Sequence, residues 1–101
     1  MSTKTGVLGA ALLSILATAA SAEDPSILVQ STTSTQNSGF YDYILPIYKS
    51  ETGVTVNVVA VGTGQAIKNA QNCDADVLLV HARAAEEKFV DGGYGVARSN
   101  L

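Results

Sequence analysis

The sequence predicts an α/β protein built on a parallel sheet. Three β-branched and aliphatic runs, at residues 27–30, 54–61 and 77–80, alternate with three segments that carry helical signals. The order is therefore βαβαβα. A strand that is followed by a helix and a further strand is the unit from which parallel sheets with right-handed crossovers are built.

The start of the chain is predicted to be an export signal and not part of the fold. Lys4 supplies a short positive region, and residues 7–17 are apolar but too few to span a bilayer. Ala20-Ser21-Ala22 then matches a cleavage site. Residues 1–22 are therefore predicted to be a signal peptide. The residue directly after the cleavage site is Glu23 and not a cysteine to which a lipid could be attached. We therefore expect a free product outside the cytoplasm and no membrane insertion after cleavage.

The first predicted strand, at residues 27–30, runs into a loop rich in hydroxyl and amide groups at residues 31–39. By itself such a loop is typical of a solvated turn with one capping residue. A helix is predicted from Phe40 to Gly53, because Phe40, Ile44, Ile47 and Tyr48 recur at helical spacing and Gly53 suits a C-terminal cap. Pro46 removes one backbone donor inside it.

The second predicted strand, at residues 54–61, ends at the turn Gly62-Thr63-Gly64. A short helix is predicted at residues 65–72, with Thr63 as its N-cap. Residues 77–80 form a continuous apolar run, which is typical of a strand buried on both faces of a parallel sheet. The last helix is predicted at residues 84–91, followed by two glycines.

Two of these turns have the chemistry of an anion site. Ligands of open parallel sheets bind beyond the carboxyl ends of the strands, which is where the loop at residues 31–38 and the turn at residues 61–65 are predicted to lie. Both lead into helix N-termini, whose free N–H groups and dipole favour an anion. With the added hydroxyl donors they predict a cradle for a small oxyanion. The Gly62-Thr63-Gly64 turn matches neither the dinucleotide-binding fingerprint nor a P-loop.

The net charge and the hydrogen-bonding groups of the chain narrow the choice of ligand. The formal net charge is −3, so general attraction to nucleic acid or to anionic lipid is not expected, and local donors must hold the anion. Tungstate, molybdate and sulfate offer only acceptors when fully deprotonated, whereas hydrogenphosphate also carries a proton. The 31–39 loop contains no carboxylate, and this favours an anion that only accepts hydrogen bonds.

Catalytic and metal sites are the weaker interpretations. His81 could act as a base for Ser34 or Cys73, but nothing in the sequence brings these residues together except the shared strand ends. We therefore predict no enzyme, with His81 bordering the cleft and Cys73, the only cysteine, closing a helix. One histidine and one cysteine fall short of a metal ligand set, and no cofactor is expected.

Several segments together resemble the tungstate-binding proteins of ABC transporters. They are Ser31-Thr32-Thr33-Ser34-Thr35-Gln36-Asn37-Ser38-Gly39, Val59-Ala60-Val61-Gly62-Thr63-Gly64-Gln65-Ala66, Asp74-Ala75-Asp76-Val77-Leu78-Leu79-Val80-His81, Ala84-Ala85-Glu86-Glu87-Lys88-Phe89-Val90 and Gly93-Tyr94-Gly95-Val96. The resemblance implies the type II periplasmic binding protein fold, in which two lobes close on the ligand. Residues 23–101 would then be the N-terminal part of lobe 1, with the second lobe missing.

The resemblance also implies a ligand set and partners. The family's Thr-Thr-Thr-Ser motif falls on Ser31, Thr32, Thr33 and Ser34, and its Gly-Thr-Gly-Gln turn supplies Thr63 and Gly64. The implied protein is a periplasmic monomer that delivers tungstate to the membrane permease of an ABC importer. Two alternatives remain open, a receptor for molybdate or sulfate and a truncated remnant or sensory module without transport.

We expect the signal peptide to be removed after Ala22, so that the exported product begins at Glu23. N-terminal sequencing of the protein recovered from the extracytoplasmic fraction measures this directly. A product that retains Met1 would contradict both the cleavage site and the predicted location.

Overall fold

A three-stranded parallel sheet organises the chain in the computed structural model, which describes residues 24–101. The strands are β1 (Ser26–Thr32), β2 (Thr55–Val61) and β3 (Val77–Leu78), in the spatial order β2-β1-β3. The helices are α1 (Thr33–Asn37), α2 (Phe40–Thr52), α3 (Thr63–Gln71) and α4 (Arg83–Asp91). The predicted α/β class and parallel sheet are confirmed. The predicted signal peptide at residues 1–22 lies outside the described residues.

The central strand β1 carries most of the core. Its last four residues, from Val29 to Thr32, are buried, and it pairs with β2 along its whole length, from Ser26 opposite Thr55 to Thr32 opposite Val61. Among residues 24–101 the buried hydrophobic side chains are Val29, Tyr41 and Ala66, which come from β1, α2 and α3. None of the helices in this part of the chain has both the length and the apolar character needed to span a membrane.

The hydroxyl-rich segment is not the loop that the sequence predicted. Ser31 and Thr32 extend β1, and α1 follows at once. The backbone N–H of Thr35 donates to Thr32 Oγ1 over 3.2 Å, so Thr32 caps α1. The loop prediction failed because the strand partners Ala60 and Val61 of β2, which hold Ser31 and Thr32 in the sheet, are distant in sequence.

Helix α2 was predicted correctly in its limits, and it continues through Pro46. It begins after Gly39 and ends at Gly53, both of which have positive φ. The apolar side chains that were expected to form the buried face of α2, however, are mostly exposed. Phe40, Ile47 and Tyr48 are each about 40% exposed, whereas Tyr41 is 7% exposed.

Two further predictions need correction. Thr63 is the first residue of α3 and not its N-cap, because the extended residue Gly62 takes the cap position and no side chain caps the helix. Strand β3 has only two residues, and Val77 is 42% exposed, so the run at residues 77–80 is not buried on both faces. The reason is that β3 pairs with β1 alone and ends the sheet.

Cys73 closes α3, as the sequence predicted. It has a left-handed backbone, with φ at 65°, and lies just beyond the C-cap residue Asn72. Its N–H donates to the Ala70 carbonyl over 3.0 Å and the Asp74 N–H donates to the Asn69 carbonyl over 3.0 Å. This pair of bonds is the Schellman arrangement, in which glycine is the usual residue at the left-handed position.

We expect Cys73→Gly to raise the free energy of unfolding by about 0.5–1 kcal/mol. The left-handed conformation costs a side chain about 1–2 kcal/mol, and the greater freedom of glycine in the unfolded chain offsets part of the gain. Urea unfolding followed by circular dichroism measures the change. Cys73→Ala is the control, because it removes the thiol and keeps the left-handed strain. Equal unfolding midpoints for the two variants would contradict this account.

Candidate functional site

The carboxyl ends of the three strands bring the predicted site segments to one side of the sheet. We call residues 32–34, 61–64 and 79–81, which follow or end β1, β2 and β3, the carboxyl edge. Thr32 lies opposite Val61 in the sheet, so α1 and the start of α3 leave it side by side. On the other side of β1, Ser34 Oγ lies 3.1 Å from His81 Nε2, although 47 positions separate the two residues in sequence.

Ser31 holds this edge together and does not present its hydroxyl to solvent. It is fully buried, and its hydroxyl donates to the carbonyl oxygen of Leu79 over 2.8 Å. Ser31 Oγ also lies 2.6 Å from the hydroxyl oxygen of Tyr41. A serine has one hydrogen to donate, so Tyr41 must be the donor in this second bond. The Ser31 side chain therefore has no hydrogen available for an anion in this structure.

Thr32 is buried as well, and its hydroxyl oxygen lies among other donors of the same segment. It accepts the Thr35 N–H, lies 2.8 Å from Thr35 Oγ1 and lies 3.2 Å from Ser34 Oγ. The side chains of Thr33 and Ser34, by contrast, are exposed. Of the four residues in the Ser31–Ser34 motif, the two buried ones thus have structural bonds, and the two at the start of α1 can meet a ligand.

The start of α3, which follows the neighbouring strand β2, provides backbone donors at the carboxyl edge. The first bond within this helix runs from the Ala66 N–H to the Gly62 carbonyl over 2.9 Å. The N–H groups of Thr63, Gly64 and Gln65 therefore have no partner in the helix, and α3 has no side-chain cap. A Cβ built on Gly62 or Gly64 would meet nothing within 4 Å. This helix end is open, and its dipole favours negative charge.

His81 was predicted to border the cleft, and its pairing with Ser34 was considered only as a catalytic interpretation that the sequence did not favour; the structure brings the two side chains into contact. The two residues border an open cleft of about 420 Å³, which Phe40, Thr35 and Ser38 also line. The shared strand ends were the one signal in the sequence for this contact, and the sheet topology shows why that signal was sufficient. His81 follows a strand that neighbours β1, and the carboxyl ends of parallel strands lie at the same edge.

The alternative pair of Cys73 and His81 is excluded by placement. Cys73 lies at the far end of α3, and a nine-residue helix is about 13 Å long. Ser34 and His81 are in contact, but the geometry of a catalytic triad also requires a third group that orients the base. Among residues 24–101 no group of three histidine, cysteine or acidic side chains is placed to hold a metal ion.

Comparison with known proteins places the chain in a family. The PBP superfamily domain matches residues 19–100. The chain belongs to this superfamily. A solved structure described as the tungstate binding protein TupA from Desulfovibrio alaskensis G20 superposes on this chain with a TM-score of 0.72 and is 50% identical to it. The superposition covers 73% of this chain and 30% of that one.

Two curated relatives of this superfamily member each match about three quarters of the chain. The tungstate-binding protein TupA of Peptoclostridium acidaminophilum is 51% identical over 76 residues, which are 75% of this chain and 27% of the relative. A putative ABC transporter anion-binding protein of Haloferax volcanii is 43% identical over 75 residues, which are 74% of this chain and 22% of the relative. The chain thus spans about a quarter of the length of these relatives.

The buried hydroxyl bonds of this PBP superfamily chain predict an order of stabilities. We expect Tyr41→Phe to lower the free energy of unfolding by about 1 kcal/mol, because one buried hydrogen bond is lost. Ser31→Ala should cost about 2–3 kcal/mol, because the Tyr41 hydroxyl and the Leu79 carbonyl both lose their partner. Urea unfolding measures both. Thr33→Ala is the matched control on an exposed hydroxyl. A smaller loss for Ser31→Ala than for Tyr41→Phe would contradict the account of Ser31 as the shared partner of Tyr41 and Leu79.

Proposed function

We propose that this chain forms the first part of an extracytoplasmic receptor that binds a tetrahedral oxyanion, most specifically tungstate, for an ABC importer. The observation that carries the proposal is the carboxyl edge. Two exposed residues with hydroxyl groups, Thr33 and Ser34, follow the end of β1, and the uncapped N-terminus of α3 follows the end of the neighbouring strand β2. Hydroxyl groups and free helix N–H groups at one edge of a sheet are the kind of donors that an oxyanion requires.

The lack of carboxylates at and around the carboxyl edge supports an anion that accepts hydrogen bonds and donates none. Residues 31–39, 62–65 and 79–81 contain no Asp, Glu, Lys or Arg, and His81 is their one ionisable side chain. A site for hydrogenphosphate would need an acceptor for the proton of that ligand. Tungstate, molybdate and sulfate need donors alone, which is what these turns offer.

The relatives favour tungstate within this group. Two of the proteins described above are named for tungstate and a third for anions, and each match covers about three quarters of this chain. The proposed ligand groups are the Thr33 and Ser34 hydroxyls and the N–H groups of Thr63 and Gly64. Ser31 and Thr32 support them from within the sheet.

The transporter partner and the location follow from the same proposal. A receptor of this kind works in the periplasm after its signal peptide has been removed, as a monomer that docks on a membrane permease. It binds and releases its ligand without chemical change, so no catalytic role is proposed for the Ser34 and His81 pair. The net charge of −3 agrees with a ligand held by local dipoles and not by a basic surface.

We expect Thr33→Ala and Ser34→Ala each to weaken tungstate binding about ten- to a hundredfold. A donor bond to a charged ligand contributes about 1.5–3 kcal/mol, and each 1.4 kcal/mol is a factor of ten in affinity. Thr63→Ala should cost less, because its N–H group at the start of α3 is retained. Isothermal titration measures the affinities in a chimera in which the 76 matching residues of this chain replace their counterparts in the Peptoclostridium acidaminophilum relative.

Asn37→Ala is the control, because Asn37 is the last residue of α1 and is exposed away from the start of that helix. Competition with molybdate, sulfate and hydrogenphosphate in the parent chimera tests the ligand class. Parent-like binding by both hydroxyl variants together with a loss in the Asn37 variant would refute the donor assignment. Hydrogenphosphate that competes as well as tungstate does would refute the ligand class.

A further inference from the structure

The contact between Ser34 and His81 has a consequence for the direction of every hydrogen bond around Ser34. Ser34 Oγ has two polar neighbours, Thr32 Oγ1 at 3.2 Å and His81 Nε2 at 3.1 Å. A serine hydroxyl accepts two hydrogen bonds and donates one. If the hydrogen of Ser34 points to either neighbour, none remains for an oxyanion. Ser34 can serve as a ligand donor only when both neighbours donate to it.

Thr32 donates to Ser34 when Thr35 supplies both of the hydrogen bonds that Thr32 accepts. Thr32 Oγ1 already accepts the N–H of Thr35 and lies 2.8 Å from the Thr35 hydroxyl. If Thr35 donates its hydroxyl hydrogen to Thr32, the acceptor capacity of Thr32 is full. Thr32 then donates its own hydrogen to Ser34. The hydrogens of Thr35, Thr32 and Ser34 form one chain that points out of the protein.

The histidine side is met only when Nε2 of His81 carries a hydrogen. An Nε2–H group donates to Ser34 Oγ and completes its two accepted bonds. An Nε2 without hydrogen is an acceptor and draws the Ser34 hydrogen away from the ligand position. Consecutive hydrogen bonds that point in the same direction also polarise one another, which strengthens the last donor.

We propose that His81 is a positioning residue of the oxyanion site, which donates from Nε2 to Ser34 Oγ and so directs the Ser34 hydrogen to the bound anion. The inference rests on the proposed function, since it assumes that Ser34 contacts an oxyanion. His81 itself makes no contact with the ligand in this arrangement. Its effect passes through one oxygen atom.

The first test is the state of the His81 ring in the chimera described above. His81 is the one histidine of this chain, and the signal that is missing from the His81→Gln spectrum identifies it in the chimera. Nitrogen-15 NMR of the imidazole at saturating tungstate should show hydrogen on Nε2. An Nε2 without hydrogen in the tungstate complex would overturn the proposal.

The second test is a double-mutant cycle on tungstate affinity. We expect His81→Phe to weaken binding about three- to tenfold in the parent and to have no further effect in the Ser34→Ala background, because both act through the same hydrogen. His81→Gln, whose amide N–H₂ group can take the place of Nε2–H, should bind within about twofold of the parent. Losses that add in the double variant, or a glutamine variant as weak as the phenylalanine variant, would overturn the proposal.

The experiments distinguish failure of the proposed function from failure of the proposed role of His81. A parent chimera that does not bind tungstate, although circular dichroism shows it to be folded, removes the function and the role of His81 together. A parent that binds tungstate, with an additive cycle, removes only the role of His81. Thr33→Ala combined with His81→Phe is the control cycle, in which the two losses should add.

Discussion

The buried hydroxyl of Ser31 ties three elements together at the carboxyl edge, and the geometry of the candidate site depends on it. Its hydrogen holds the Leu79 carbonyl, and its oxygen accepts from Tyr41 of α2. Leu79 lies two residues before His81, and Ser31 lies three residues before Ser34. The bond between β1 and the segment after β3 therefore also sets the distance between the Ser34 and His81 side chains.

Buried and exposed hydroxyls of one short segment have different roles because the chain changes from strand to helix at Thr32. As long as the segment belongs to the central strand, its side chains are buried on either face, and their polar atoms must find partners inside the protein. From Thr33 onward the helix turns the side chains out of the sheet. The composition of the segment predicted a set of hydroxyl donors, and the position of the boundary between strand and helix decides which of those hydroxyls are buried and which are exposed.

The elements that local signals define were the ones that the sequence predicted best. Gly39 and Gly53 have the positive φ that glycine favours, and they bound α2 within a residue of the expected limits. The end of β1 and the short β3 were missed, and the pairing of Ser34 with His81 was raised but not favoured, since each depends on which strand lies next to which. An apolar run such as residues 77–80 predicts burial, but it does not tell where in the sheet order the strand lies.

A doubly charged ligand at an edge without lysine or arginine raises the question of what balances its charge. In the proposed function, neutral dipoles do so. Each hydroxyl or helix N–H contributes little while water reaches the anion, since water offers equivalent bonds. The same donors gain strength when water is excluded, because the effective dielectric constant falls. A site built this way holds its ligand tightly only when the site is covered, and it releases the ligand when water returns.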